Sequence, residues 1–408
     1  MMNRKQISKI LHDTAFIHTS GTPEEKKVAD YLQEACKQLG VTVHEETFPV
    51  RLTNMSEASL MADGKALPCK GYKLCGSGSI KAPFCYMPND DRASLSSIKG
   101  KIVLIDKGVS YFNYHDLLKY GAVGFITYDG DVNYADNDID FKELRPHVCL
   151  GEKLLGVNVN AKTAARLVAM NPASVEITIQ QEEYEGESLN VVAEIPGQTD
   201  EWIVLTAHMD TTPLSVGSYD NMTGCIGLLG IMEKLKAEAL HYSLRFVFCG
   251  SEERGLLGSK AYVAAHEGEL EKVQLNINLD MIGTTMGKFI ACVSAEDKLV
   301  HYLEYLACET GWGLNARQGV YSSDSTPFAD KGVPALSFAR ITGPHQGTIH
   351  NRYDTAALVS EAQMQKDIDF IALFTARMAC ARCIPVARQI PDKVRDELDK
   401  YLFRKRGD

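Results

Sequence analysis

The chain has 408 residues, 45% of them apolar and 24% charged, a globular composition long enough for two or three modules. A formal net charge of -10, with no Lys/Arg run ahead of the tail, argues against nucleic acid as a main partner. No apolar run is long enough to span a bilayer, so no membrane partner is expected. Met1 to Ile7 has no apolar leader-like stretch, and the 11 cysteines are scattered through predicted strands and helices. The expectation is a cytoplasmic chain without a disulfide framework. Cys380-Ala381-Arg382-Cys383 is a lone CxxC with no second pair to complete a metal site.

From the N-terminus, Thr22-Pro23-Glu24-Glu25 reads as a helix start, with Thr22 as N-cap and Pro23 in the first turn. Val28, Tyr31, Leu32, Cys36 and Leu39 form one apolar stripe, closed by Gly40. A strand is predicted from Val41 to Val50. The character then changes. From Arg51 to Glu185 the chain is rich in Gly, Asn, Asp and Ser, with one βαβ unit over Lys101 to Tyr128. A helix from Ala161 to Met170 and a strand from Val175 to Ile179 come next. Strands and helices then alternate from Leu189 to Met378, which predicts a mostly parallel sheet covered on both faces. The fold class is therefore α/β. Residues 1–50 and 186–385 form one discontinuous domain, 51–185 a smaller α/β or β-rich insert, and 386–408 a C-terminal helical tail.

Chemistry concentrates at the ends of the apolar runs. His208 ends the run Ile203 to Ala207, and Asp210 lies two residues on, on the same side of an extended chain. Asp220-Asn221 precedes a helix whose Gly224, Gly227 and Gly230 permit close approach; alone, Asp220 would suit a helix N-cap. Glu252 and Glu253 come after the run Leu244 to Cys249, and their side chains diverge, so one can bind metal while the other faces substrate. Asp280 comes after Leu275 to Leu279, and His350 lies in Thr348-Ile349-His350. In an open α/β sheet such ends converge on one crevice. Two His with several carboxylates and no Cys suit hydrolytic zinc, and a carboxylate beyond the ligand count would serve as general base.

The order H-x-D, D-N-x-x-G, E-E, N-x-D and I-H-x-x-x-D-T resembles the co-catalytic di-zinc exopeptidases of the MH clan. These include secreted bacterial aminopeptidases, glutamate carboxypeptidase and the non-enzymatic transferrin receptor. The likeness covers Asn3 to Val50 and Leu189 to Met378, and the 51–185 insert resembles a protease-associated domain. The resemblance implies two zinc ions bridged by Asp220, which would have a cis bond to Asn221. His208 and Asp280 would complete one site, and Glu253 and His350 the other. Glu252 would be the general base on a metal-bridging water, Asp210 would orient His208, and Ser323 would orient His350. Ile349 stands where some relatives carry an oxyanion-donating Tyr, which leaves Tyr321 as the nearest candidate. Ser325 stands where many carry His.

The implied function is a zinc metallopeptidase, an aminopeptidase removing N-terminal residues from short peptides. A carboxypeptidase or amidohydrolase on the same scaffold would need a guanidinium for the substrate carboxylate, for which Arg340 and Arg352 are candidates. A single-zinc glutaminyl cyclase and a non-catalytic binding protein are the remaining alternatives.

Overall fold

The computed structural model describes residues 2–106, 108–145, 147–148, 151–343 and 347–405. The chain forms two compact units, one of Met1–Val50 with Glu187–Asp408 and one of Arg51–Gly186.

The first unit is built on a mixed sheet. From one edge, its strands run Asn315–Gln318, Lys288–Ser294, Ala335–Ile341, Val273–Leu279, Trp202–His208 and Ser243–Cys249, then residues 187–195 of the long strand Val175–Ile195 and 42–50 of Thr42–Ala62. Four central strands are parallel: Ser243–Cys249, Trp202–His208, Val273–Leu279 and Ala335–Ile341. Their register aligns the strand ends. His208 pairs with Cys249, Thr206 with Asn278, and Leu279 with Phe338. The four carboxyl ends therefore finish within a few residues of one another, on one edge of the sheet.

Both faces of this sheet are covered. In the strand Trp202–His208, Ile203, Leu205 and Ala207 enter one core and Val204 the other. The first core is closed by Ile7, Leu32, Ile226 and Phe374 from four helices: Arg4–Asp13, Pro23–Gln38, Thr223–Leu235 and Glu361–Ala379. The second holds Tyr262, Phe328, Val394 and Leu398, from Leu257–Ala265, Ser325–Asp330 and Asp392–Tyr401. Strands buried on two sides can be apolar throughout, which is why Ser243–Cys249 is buried at every position.

The second unit has its own core, including Ile102, Leu104, Phe125, Val157, Leu167 and Ile177. Its six-stranded sheet contains the expected βαβ unit: Ile102–Ile105, the helix Tyr111–Lys119 and Gly124–Asp129, with the two strands parallel.

Two expectations are corrected. The described part of the expected 386–408 tail, residues 386–405, is not a separate element. Val386, Ile390, Val394 and Leu398 are buried, and Val394 and Leu398, spaced i, i+4, turn one face of the last helix onto the sheet's second core. The strands predicted at Val41 to Val50, Val175 to Ile179 and Leu189 to Ile195 belong to two strands of 21 residues each, Thr42–Ala62 and Val175–Ile195. The polar stretch Gln180 to Glu187 reads as a loop because it is largely exposed, yet its backbone continues the strand. Every described cysteine is a free thiol. Among the described residues, no helix is long and apolar enough to cross a membrane.

The helix Thr223–Leu235 crosses the central strands at contact distance. A Cβ on Gly224 would lie 2.5 Å from the backbone oxygen of Leu279. Gly224→Ala gains helix propensity of about 1 kcal/mol but must displace backbone. Denaturant unfolding should show a net loss of about 1–3 kcal/mol. Unchanged or raised stability would contradict this close approach.

Candidate metal centre

The parallel strand ends and the turns and loops after them bring five potential ligand side chains together. His208 Nε2 lies 3.1 Å from Asp220 Oδ1 and 3.8 Å from Asp280 Oδ1. His350 Nε2 lies 3.1 Å from Asp220 Oδ2 and 3.1 Å from Glu253 Oε2. Asp220 thus turns one oxygen to each histidine. Two groups of three potential ligands result, His208–Asp220–Asp280 and Asp220–Glu253–His350, sharing that one carboxylate.

Local backbone explains the placement. Asp220 sits in the irregular turn Ser218–Met222, entered through Gly217 at φ 61°, and its bond to Asn221 is cis. Met222 holds the N-cap position of the next helix, and the first-turn N–H of Gly224 is accepted by Asn221 Oδ1 at 2.9 Å rather than by Asp220, so the N-cap alternative for Asp220 is set aside. Asn221 ties this turn to the neighbouring strand end: its Nδ2 donates to Leu279 O at 2.9 Å, and its Oδ1 accepts from Met281 N at 3.0 Å. Asp354 accepts the backbone N–H of Tyr219 at 2.7 Å and of Asp220 at 3.1 Å. The non-glycine residues Ser251, Met281 and His350 all have φ near +60°, and each is, or adjoins, a proposed ligand or Glu252. Such conformations persist only where the surroundings over-determine them.

The electrostatics call for cations. Burial, with Glu253, Asp324 and Asp280 nearby, raises the Glu252 carboxyl well above its usual range despite His208. Burial and the charge of Asp220 bring Glu253 to about 7. Burial would lower His350, but Asp220 and Glu253 raise it to about 11. His208 is likewise raised against its burial, by Glu252, Asp210, Asp220 and Asp280. Asp220 is lowered: burial opposes this, but the two histidines outweigh it. Asp280 Oδ1 is buried with no hydrogen-bond partner. Among the described residues, no Lys or Arg pairs with Asp220, Glu252 or Asp280. Crowded carboxylates without cations hold protons, whereas bound metal would favour the ionised forms. The donor set, imidazole nitrogen and carboxylate oxygen without thiolate, fits zinc.

Other assignments need revision. His208 Nδ1 is nearer the backbone oxygen of Asp210, at 3.2 Å, than its carboxylate, at 3.6 Å. The Asp210 carboxylate instead accepts the N–H groups of Glu252 at 2.8 Å and Glu253 at 3.2 Å. It clamps the glutamate turn because that turn follows the adjacent strand Ser243–Cys249. The Ser323 hydroxyl accepts from Asn278 Nδ2 at 2.9 Å and makes no hydrogen bond to His350, because it faces the strand Val273–Leu279. Arg340 is engaged: its guanidinium donates to both oxygens of the fully buried Asp367, at 2.9 and 2.5 Å, and to Gly287 O at 3.0 Å. Arg352 is exposed on the turn after His350. For Tyr321, burial first and then the charges of Asp280, Tyr219, Asp220 and Glu252 push the phenol well above its usual value.

Residues 190–375 match the model of Peptidase family M28. That segment contains His208, Asp220, Glu252, Glu253, Asp280 and His350. Leucine aminopeptidase 2 of Trichophyton rubrum is 28% identical over 270 residues, 64% of this chain and 53% of that protein. The chain thus spans about half the length of such fungal relatives. Aminopeptidase YwaD of Bacillus subtilis (strain 168) is 24% identical over 372 residues, 86% of this chain and 79% of that one. The solved zinc aminopeptidase BSAP from Bacillus subtilis shares the fold, with TM-score 0.77 and 22% identity over 97% of this chain and 99% of that one. The aminopeptidase from Aneurinibacillus sp. strain AM-1 does too, with TM-score 0.76 and 21% identity over 94% and 96% of the two chains.

In the sequence Asp354 stands out only as part of a motif; in the structure it grips the backbone of Asp220. Asp354→Asn places an amide donor against backbone N–H groups. Zinc titration of the stripped protein should show affinity reduced by about 10–100-fold. Wild-type affinity would show that Asp354 does not hold the ligand.

Proposed function

We propose that the protein is a zinc-dependent aminopeptidase that removes N-terminal residues from short peptides. The observation that carries this reading is the pair of ligand groups sharing Asp220, with Glu252 adjoining them and absent from both. His208, Asp220 and Asp280 would hold one ion, and Asp220, Glu253 and His350 the second. When bound, zinc supplies Lewis acidity that polarises a scissile carbonyl and acidifies water.

The chain's own groups supply the rest. Glu252 takes the proton of the attacking water and returns it to the leaving amine, a task suited by a buried carboxyl of raised proton affinity. Asp210 keeps Glu252 and Glu253 in fixed relation by accepting both of their N–H groups. Tyr321 is the candidate donor to the developing oxyanion. Similarity to aminopeptidases supports the direction of attack. The carboxypeptidase alternative loses its first candidate guanidinium, since Arg340 is committed to Asp367. Completeness of both ligand groups favours two ions over the single-zinc cyclase.

Three outcomes are expected. Dipeptide amides with a free α-amine should be cleaved and their N-acetylated forms should not; equal cleavage of both would contradict an aminopeptidase. Glu252→Gln should keep its zinc but lose about 10²–10⁴-fold in kcat. Glu253→Gln should instead weaken one zinc. If Glu252→Gln loses metal and Glu253→Gln does not, the two roles are exchanged.

A further inference from the structure

Glu25 occupies the first turn of the helix Pro23–Gln38 and lies outside the 190–375 match. An acidic residue there usually stays in water and interacts with the helix dipole. Glu25 is instead 1% exposed. Its Oε2 accepts from Gly21 N at 2.6 Å, and its Oε1 accepts from the Ser188 hydroxyl at 2.8 Å. Ser188 is bonded in turn to the Ser251 hydroxyl at 2.8 Å, and Ser251 to the hydroxyl of Ser20. A Cβ on Gly250 would meet Glu25 Oε1 at 2.8 Å and Ser188 Oγ at 2.8 Å.

This buried polar cluster therefore encloses the turn Gly250-Ser251. Ser251 has φ 56° and directly precedes Glu252 and Glu253. An L-residue in that conformation needs support from outside its own segment. Asp210 supplies one restraint, through the two glutamate N–H groups. The Glu25 cluster supplies a second, from a different part of the chain. Burial first, and then the charge of Asp210, brings the Glu25 carboxyl to about 8, so the site retains a costly buried acid.

We propose that Glu25 is a positioning residue: through Ser188 and Ser251 it holds the turn that aims Glu252 and Glu253 into the metal centre. The catalytic consequence rests on the roles of those two glutamates in the proposed reaction, whereas the structural claim does not.

The test compares the full chain with Glu25→Ala, Glu25→Gln, Ser188→Ala and the control Leu32→Ala. Leu32 is a fully buried residue of the same helix. Backbone hydrogen exchange at Ser251 to Glu253, with chelator present, should be about tenfold faster in Glu25→Ala than in Leu32→Ala. Glu25→Gln keeps length and hydrogen-bonding capacity and should stay close to wild type. Ser188→Ala should move in the same direction as Glu25→Ala, and it decides the matter should Glu25→Ala not fold. Zinc titration should show one of two binding constants weakened about tenfold in Glu25→Ala, with the other retained. Equal exchange in Glu25→Ala and Leu32→Ala, or a Glu25→Gln as impaired as Glu25→Ala, would overturn the proposal. A wild-type chain that binds no zinc would instead overturn the aminopeptidase reading, while the exchange result still decides the role of Glu25.

Discussion

Asp220 must present one carboxylate oxygen to His208 and the other to His350, at 3.1 Å each. The rest of the arrangement is organised around this double duty. A carboxylate can face two partners at once only if its backbone is held against rotation. Asp354 grips the Asp220 N–H, and Asn221 ties the same turn to the neighbouring strand end. The parallel register then brings His208, Glu253 and Asp280 to the same edge.

Collecting so many carboxylates in a buried place is unfavourable in itself, because desolvation and mutual repulsion both oppose ionisation. Glu252 and Glu253 are accordingly raised, and the surrounding carboxylates raise the proton affinity of the two histidines as well. This is a site organised to receive positive charge. The polypeptide invests backbone donors in it: Asp210 takes two N–H groups and Asp354 takes two. Such bonds fix ligand direction as well as energy. The positive φ angles at Ser251, Met281 and His350 are part of the same constraint.

Much of this is legible in the chain. Apolar strand runs ending in His208, Glu252 and Asp280 require no tertiary information, because a two-sided sheet buries its strands and exposes their ends. The roles of the supporting residues are not legible in the same way. Residues i and i+2 share a side in extended chain, which points Asp210 at His208. The turn after His208 instead directs that carboxylate to the amides of the turn that follows the neighbouring strand. Arg340 looks available in sequence because its partner Asp367 is 27 residues away on a helix. Glu25 resembles an ordinary first-turn acid, and only tertiary burial sets it apart. The last helix's packing and the two long strands escape sequence reading for related reasons: short amphipathic spacing and a polar stretch carry weak local signals.

One carboxylate organising two metal positions is a geometric arrangement that can be seen directly. Anomalous diffraction at the zinc edge, on crystals of the zinc-loaded protein, tests it. Two peaks are predicted, one among His208, Asp220 and Asp280 and one among Asp220, Glu253 and His350, with an Asp220 oxygen directed at each. A single peak, or two peaks of which one is not ligated by Asp220, would contradict the account.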